Sequence, residues 1–363
     1  MVYLNTGTYG LMPEPALRAL VRATEALEQH GVAAPPDIGQ AGEEARRRTA
    51  DLIGGRPEEV AFTRNATDGI NLVLAGLDWQ PGDEVITGTE EHEALWHPLL
   101  GLSRKRGVRV VRVQPTPNAS EMVERLDRAA SRRTRLLAMS HVSCETGTRI
   151  AAGAACSWAA ARGVRSLVDG AQSVGAVPVD VSEIGCDFLA GNGHKWLGGP
   201  KGFGFFWVRS DRVAELWPAH IGAGSLERAD FHNAVAEPWS TAARFEYGTR
   251  PWALAVGFNA AISWLEQIGW ARVQERIEAQ TRALKSALAQ LPGARVLTPS
   301  AFAESSGLVS VTLEGRDAGA LCAGLAERGI HVRHVPRLNA VRASCAVFTN
   351  GEDLGRFVSA LAG

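Results

Sequence analysis

The sequence predicts an α/β protein, with a large domain around a mainly parallel central sheet and a smaller C-terminal α+β domain. Three observations carry this expectation. Short β-branched runs alternate with helical stretches over much of the chain, the texture changes near Pro251, and 363 residues exceed one typical core. The expected division is 15–250 for the large domain, with 1–14 and 251–363 forming the small one.

Taken in order, Glu84–Thr87 reads as a strand because it follows the turn signal Pro81-Gly82-Asp83. Val108–Val113 is a second strand, after a helical run that ends at Gly107. Leu136–Ser140 and Val164–Val168 follow, with the Ala-rich segment Ala154–Arg162 between them. Strand and helix in this alternation make βαβ units, which place ligands at the carboxyl ends of the strands. Phe203–Val208 is a further strand bounded by glycines. Beyond Pro251, helical periodicity runs from Trp252 to Ile268 and on to Leu291. Gly307–Thr312 and Ile330–Arg333 then read as strands around a helix from Ala318 to Arg328. No linker, low-complexity tract or internal repeat separates the lobes, so they are expected to pack directly.

Composition narrows the function class. A hydrophobic fraction of 45% and a charged fraction of 21% are those of an ordinary globular protein. A net charge of -1 offers no excess of cation to replace counterions, which argues against nucleic acid as a partner. The arginine runs Arg46-Arg47-Arg48 and Arg132-Arg133 sit beside acids and read as solvated helix faces. The five cysteines (144, 156, 186, 322 and 345) form no C-x-x-C pair, so neither a zinc site nor a disulfide framework is expected. The N-terminus does not read as a signal peptide, and no apolar run reaches the roughly 18 residues of a membrane helix. These features predict a soluble, cytoplasmic protein without a metal.

Five segments carry chemistry. In Val168-Asp169-Gly170-Ala171-Gln172-Ser173 an aspartate ends an apolar strand; by itself it also fits a helix cap. Ala171–Gly175 imitates a hydrolase nucleophile elbow, but Ala171 replaces the first glycine. In Gly191-Asn192-Gly193-His194-Lys195-Trp196-Leu197-Gly198-Gly199 a lysine sits in a loop poor in side chains, where a flat ligand can approach the backbone. Lys201, between Pro200 and Gly202, reads as a turn residue. Lysine forms Schiff bases with carbonyl compounds, and pyridoxal phosphate needs such a lysine together with an acid for its ring nitrogen. Lys195 and Asp169, each beside a strand end, supply that pair.

The third segment, Thr63–Asn71, places Thr67 where a helix begins, suited to a phosphate or to a plain threonine cap. In the fourth, His92 and His97 are five apart, whereas the zinc motif needs four, which leaves His92 free to lie against a flat ring or to serve packing. In the fifth, Val341-Arg342-Ala343-Ser344, the arginine is able to fork to a carboxylate or to make a surface ion pair. Tyr9 and Asn5, near the N-terminus, and Trp96 are candidate substrate contacts, with packing as the alternative for Tyr9 and Trp96.

These residues resemble the class V aminotransferase-like branch of fold-type I pyridoxal phosphate enzymes, from Tyr3-Leu4-Asn5 to Phe348-Thr349-Asn350. The most specific matches are Asp169-Gly170-Ala171-Gln172 and Gly193-His194-Lys195-Trp196. Within that branch the chain looks most like cystine and cysteine C–S lyases, with isopenicillin N epimerase-like proteins and cysteine desulfurases as cousins. The resemblance implies that Lys195 holds the cofactor and shuttles the α-proton, that Asp169 binds the ring nitrogen and that Gln172 bonds the phenolic oxygen. It implies that His92 stacks on the ring. Ala66, Thr67 and His194 would hold the phosphate, joined by Thr249 of a second subunit, and Arg342 would take the substrate carboxylate. A homodimer with shared sites is therefore expected.

Two positions depart from the family pattern. Cys144 stands where members often have asparagine, and Asn192 where they have serine or threonine. A desulfurase also needs a mobile cysteine shortly before the carboxylate-binding arginine, and His334–Val341 contains none. Without that thiol the expected outcome is β-elimination from cystine, a cysteine S-conjugate or a related sulfoxide, giving pyruvate and ammonia. An aminotransferase, an epimerase or a desulfurase using other cysteines is the alternative within the family.

Overall fold

The structure is a computed structural model that describes residues 1–363. A short strand, β1 (Val2–Tyr3), leads into two long helices, α1 (Glu14–His30) and α2 (Pro36–Ile53). Each has a proline in its first turn, where the missing N–H removes no helical bond, and Gly54 in the left-handed conformation ends α2. Strands and helices then alternate: β2 (Val60–Thr63), α3 (Ala66–Gly76), β3 (Glu84–Gly88), α4 (Glu93–Arg106), β4 (Arg109–Val113) and α5 (Ala119–Ala129). They continue as β5 (Thr134–Ser140), α6 (Ala152–Ala161), β6 (Arg165–Asp169), the single turn α7 (Val181–Ile184), β7 (Phe188–Asn192) and β8 (Gly204–Val208).

The resulting seven-stranded sheet has the order β2-β8-β7-β6-β5-β3-β4. Only β8 runs against its neighbours; the other adjacent pairs are parallel. Successive side chains of its central strands enter two different cores. Val168, Leu189, Phe205 and Trp207 pack on one face, and Leu167, Phe188, Phe206 and Val208 on the other. A sheet covered on both faces explains why these strands read as continuous apolar runs without polar alternation.

After β8 the hairpin β9 (Leu226–Asp230) and β10 (Val235–Pro238) projects outward, with Phe231 at its tip fully exposed. Helix α8 (Trp252–Ile268) packs on α1 and α2, and α9 (Trp270–Ala289) leads to the C-terminal elements. These are β11 (Ala294–Val296), β12 (Leu308–Leu313), α10 (Ala318–Glu327), β13 (Ile330–His331), β14 (Arg333–Val335), β15 (Ala340–Ser344) and α11 (Gly351–Ala362). Four of these strands form an antiparallel sheet ordered β11-β12-β15-β14. The N-terminal β1 pairs with β13, and Val2 and Leu4 enter the same core as Val309, Val341 and Phe357. No helix is long and apolar enough to cross a membrane.

Two expectations are corrected. Arg46 does not belong to a solvated face; it is buried and donates to both carboxylate oxygens of Glu246, each at 3.0 Å. Helix α3 is capped by Asn65, whose side chain accepts from the Asp68 N–H, so Thr67 is not the cap. Asn65 wins because its backbone is extended while Thr67 is already inside the first turn.

Candidate active site

The carboxyl ends of β3, β5, β6 and β7 open into a cavity of about 600 Å³, closed on its other side by residues 333–336 and Arg342. Parallel strands direct the chain into loops on one edge, so residues distant in sequence converge there. Lys195, Asp169, His92, Gln172, His194, Ala66, Thr67, Tyr9 and Arg342 all line this cavity.

Asp169 ends β6 and is buried; one oxygen accepts from the Ala171 N–H at 2.9 Å, and it has no ion-pair partner. Burial raises its pKa, against which the Ala171 bond and the Lys195 charge act. A buried acid without a basic side chain on it suits a cationic ring nitrogen. Gln172 is held by two bonds, donating to the Gly7 carbonyl at 2.8 Å and accepting from the Trp196 indole at 3.1 Å. One amide hydrogen remains for a ligand.

Lys195 follows β7 in a loop that the N-terminal segment holds from outside. The Gly10 N–H donates to the His194 carbonyl at 2.8 Å, and Lys201 Nζ donates to the Gly10 carbonyl at 2.8 Å. A Cβ at residue 10 would lie 2.0 Å from the Lys195 carbonyl oxygen, so only glycine permits this approach. Lys195 makes no ion pair or hydrogen bond through Nζ, and its enclosure brings its pKa down to about 8 although Asp169 opposes the shift. Lys201, by contrast, is tied to the main chain, as a turn residue would be.

At the start of α3 the Ala66 N–H is already taken by the Asn192 side chain, 2.9 Å away. Ala66 therefore lines the cavity with its own N–H already engaged. The Thr67 N–H has no partner and lies at the positive end of the helix dipole, where a phosphate is favoured. His194 stands nearby with a buried Nδ1 that also lacks a partner, and burial lowers its pKa to about 4. His92 caps α4, its Nδ1 accepting from the Ala94 N–H at 3.0 Å. Its surroundings, followed by the Lys195 and Arg342 charges, lower its pKa to about 4, so it presents a neutral imidazole to the cavity.

Arg342 sits on β15, buried and without an acidic partner. Nη1 donates to the Cys144 carbonyl, Nη2 lies 3.5 Å from Thr8 Oγ1, and Nε is buried with nothing to bond. Burial lowers its pKa to about 10. The surface ion pair considered as an alternative is therefore absent. An unpaired, enclosed guanidinium at a cavity wall fits a carboxylate ligand.

The neighbouring loop is joined to the C-terminal sheet through four successive carbonyls. Cys144 accepts from Arg342, Glu145 from Ser310, Thr146 from Thr298 and Gly147 from Ser306. Glu145 also pairs its carboxylate with Arg337, Nε lying 2.8 Å and 2.9 Å from the two oxygens. The sequence gives no local sign of this arrangement.

Two expected residues lie elsewhere. Asn5 does not line the cavity; its side chain accepts from Thr8 Oγ1 at 2.8 Å and shapes the turn that carries Tyr9. Thr249 borders a separate cavity with Tyr247, Arg250 and Trp252, outside the cavity of its own chain. Among the cavity residues that no motif points to are Glu91, Ser140, Glu145 and Arg333. Glu91 stands directly before His92, and its partner Ser140 lies 49 residues away. Arg333 is exposed and unpaired at the cavity rim.

The donor set fits pyridoxal phosphate: an amine, an unpaired buried acid, a free helix N–H, a residual amide donor and a neutral imidazole face one cavity. The model of the family "Aminotransferase class-V" matches residues 23–357. The chain is 31% identical to isopenicillin N epimerase of Streptomyces clavuligerus, over 99% of this chain and 94% of that protein. It is 35% identical to a probable cysteine desulfurase of Pseudomonas aeruginosa, over 88% and 81%. Among solved structures it is similar to the cystine C–S lyase C-DES in complex with its reaction product cysteine persulfide. That likeness has a TM-score of 0.91 and 28% identity, covering 99% of this chain and 97% of the other. A C-DES mutant with glycine covalently linked to the PLP cofactor matches at the same TM-score of 0.91.

Proposed function

The chain belongs to the class-V aminotransferase family and is a pyridoxal phosphate-dependent enzyme; from that premise we propose that it is a carbon–sulfur lyase acting by β-elimination. Its substrate would be cystine, a cysteine S-conjugate or a related sulfoxide. The observation that carries this reading is the absence of a reactive thiol. The interval before Arg342 is consumed by β14, a single 3₁₀ turn (Pro336–Leu338) and β15, leaving no loop for a mobile cysteine. The one cysteine on the cavity wall, Cys144, is buried, and burial pushes its thiol up to about 12.

Lys195, Asp169, Gln172, His92, His194 and the Thr67 N–H are the residues that would hold the cofactor. When bound, pyridoxal phosphate supplies an aldehyde for the amine and a ring that accepts the electron pair left at the α-carbon. Arg342 orients the substrate by its carboxylate. Lys195, brought down to about 8, takes the α-proton at Nζ; roughly a tenth is unprotonated at pH 7, a few hundred times more than for an ordinary lysine near 10.4. The β C–S bond breaks with its electron pair going to sulfur, so the process needs no external oxidant or reductant. Aminoacrylate, once released, takes up water to give pyruvate and ammonia.

A second reading, cysteine desulfurase, is favoured by the names of several relatives and keeps the same Lys195 and Arg342 roles. The two differ in product. A panel of cysteine, cystine and cysteine S-conjugates, assayed for pyruvate, ammonia and alanine, tests the choice. Pyruvate with ammonia supports the lyase, alanine with sulfur transfer supports the desulfurase, and an inverted or transaminated amino acid supports the other family activities.

Assembly as a homodimer is part of the same proposal. Thr249 outside its own cavity, together with exposed Trp217, Phe231, Trp239 and Tyr247, supports a site completed by a second copy. Five cysteines without a disulfide support a reducing cytoplasm as its place.

A further inference from the structure

We propose that Glu91 is a positioning residue for the cofactor: a second acid that acts with Asp169 on the positive ring nitrogen. The proposal rests on the pyridoxal phosphate reading of the cavity and adds a residue that the motifs did not single out.

The geometry begins with a gap between strands. Pairing of β3 with β5 ends at Thr87 and Ala138, and beyond it the Glu91 carboxyl bridges the two strand ends. Oε1 accepts from the Gly88 N–H at 3.2 Å, and Oε2 accepts from the Ser140 N–H at 3.1 Å and the Ser140 hydroxyl at 2.5 Å. Ser140 is the register partner of Asp169 on the adjacent parallel strand. Neighbouring strands lie about 4.8 Å apart, so the two carboxyls stand on the same stretch of sheet edge. Both line the cavity, and the hydrogen bonds they accept come from main-chain N–H groups and the Ser140 hydroxyl, none from an arginine or lysine.

A purely structural bridge does not require an acid here. Glu91 is half-buried; a serine or amide would satisfy main-chain donors without enclosing a charge, and even a partly enclosed charge without a counterion is costly. Two such acids facing one cavity are explained by a cation that the ligand brings. Enclosure raises the Glu91 pKa to about 7, opposed by the Ser140 bonds and reinforced by Asp169, so a nearby cation would favour its ionised form. Glu91 thus steadies the charged ring through space, while Asp169 makes the direct contact.

The test compares pyridoxal phosphate with its 1-deaza analogue, in which C–H replaces the ring nitrogen. Dissociation constants of both are measured by absorbance titration of wild type and Glu91→Gln. The wild type is expected to prefer the nitrogen compound, and Glu91→Gln to lower that preference about tenfold while deaza binding is unchanged. Equal weakening of both compounds assigns Glu91 to a structural bridge and overturns the proposal, as does an unaltered preference. If Glu91→Gln does not fold, Ser140→Ala is the second arm. Removing the hydroxyl donor disfavours ionised Glu91, so the same preference falls by a smaller factor, and no fall overturns the proposal. Failure of wild type to bind either compound would instead remove the cofactor reading itself.

Discussion

Arg342 donates through Nη1 to the carbonyl of Cys144, 198 residues earlier in the chain, while its Nε stays buried and unpartnered. One guanidinium therefore ties the C-terminal sheet to the loop after β5 and still presents a cation to the cavity. Arg342→Ala is expected to raise KM for the amino acid about a hundredfold or more, the scale of a lost buried charge-assisted contact of roughly 2–5 kcal/mol. Arg342→Lys recovers only part of this, because an ammonium cannot form the planar fork. Steady-state kinetics at saturating cofactor check it, and an unchanged KM would remove Arg342 from the substrate site.

Lys195 is expected to be the residue joined to the cofactor. Borohydride reduction of the loaded protein followed by peptide mass analysis should place the label on Lys195 and leave Lys201 unmodified. Its capture of pyridoxal phosphate depends on the unprotonated amine, which increases as pH rises through about 8. The rate of labelling in the cofactor-free protein should follow that rise and level off well below the pH where an ordinary lysine, near 10.4, would do so. A label on Lys201 would contradict the site.

Cys144→Ser separates the two C–S readings. With its thiol pushed up to about 12, roughly one molecule in 10⁵ carries a thiolate at neutral pH. Pyruvate formation should stay within about threefold of wild type, since Cys144 takes no part in elimination. A loss of alanine and sulfur transfer in this variant, with those activities present in wild type, would favour desulfuration through Cys144.

Gly10→Ala tests how far the N-terminal segment shapes the lysine loop. The new Cβ would meet backbone, the Lys195 carbonyl at 2.0 Å, so the chain must shift. A stability loss of about 1–3 kcal/mol is expected, with weaker cofactor binding as the loop moves. Thermal unfolding and absorbance titration together measure both effects. An unaltered Tm would show that the segment yields freely.

The Glu145–Arg337 pair is half exposed on its arginine side, so its contribution to stability is small. Arg337→Ala should lower Tm by at most about 2 °C. Because Glu145 lines the cavity, freeing it leaves an uncompensated acid there, and KM for an anionic substrate should rise. A large fall in Tm with no change in KM would make the pair structural alone.

The sequence by itself determined the mainly parallel sheet, because short apolar strands alternating with helices make βαβ units whatever the tertiary detail. It also determined the pairing of Lys195 with Asp169, since each stands at or just after the end of an apolar strand and parallel topology gathers those ends. Only the tertiary structure decided which donors remain free. Asn192 takes the Ala66 N–H 126 residues away, Gln172 is bound to Gly7 165 residues away, and Arg46 is buried on Glu246 200 residues away. It also withdrew Asn5 from the cavity and placed Glu91 beside Asp169. The reason is one of range. Apolar periodicity is local and repeats along the chain, whereas a hydrogen bond forms between single atoms about 3 Å apart and leaves no repeat to read.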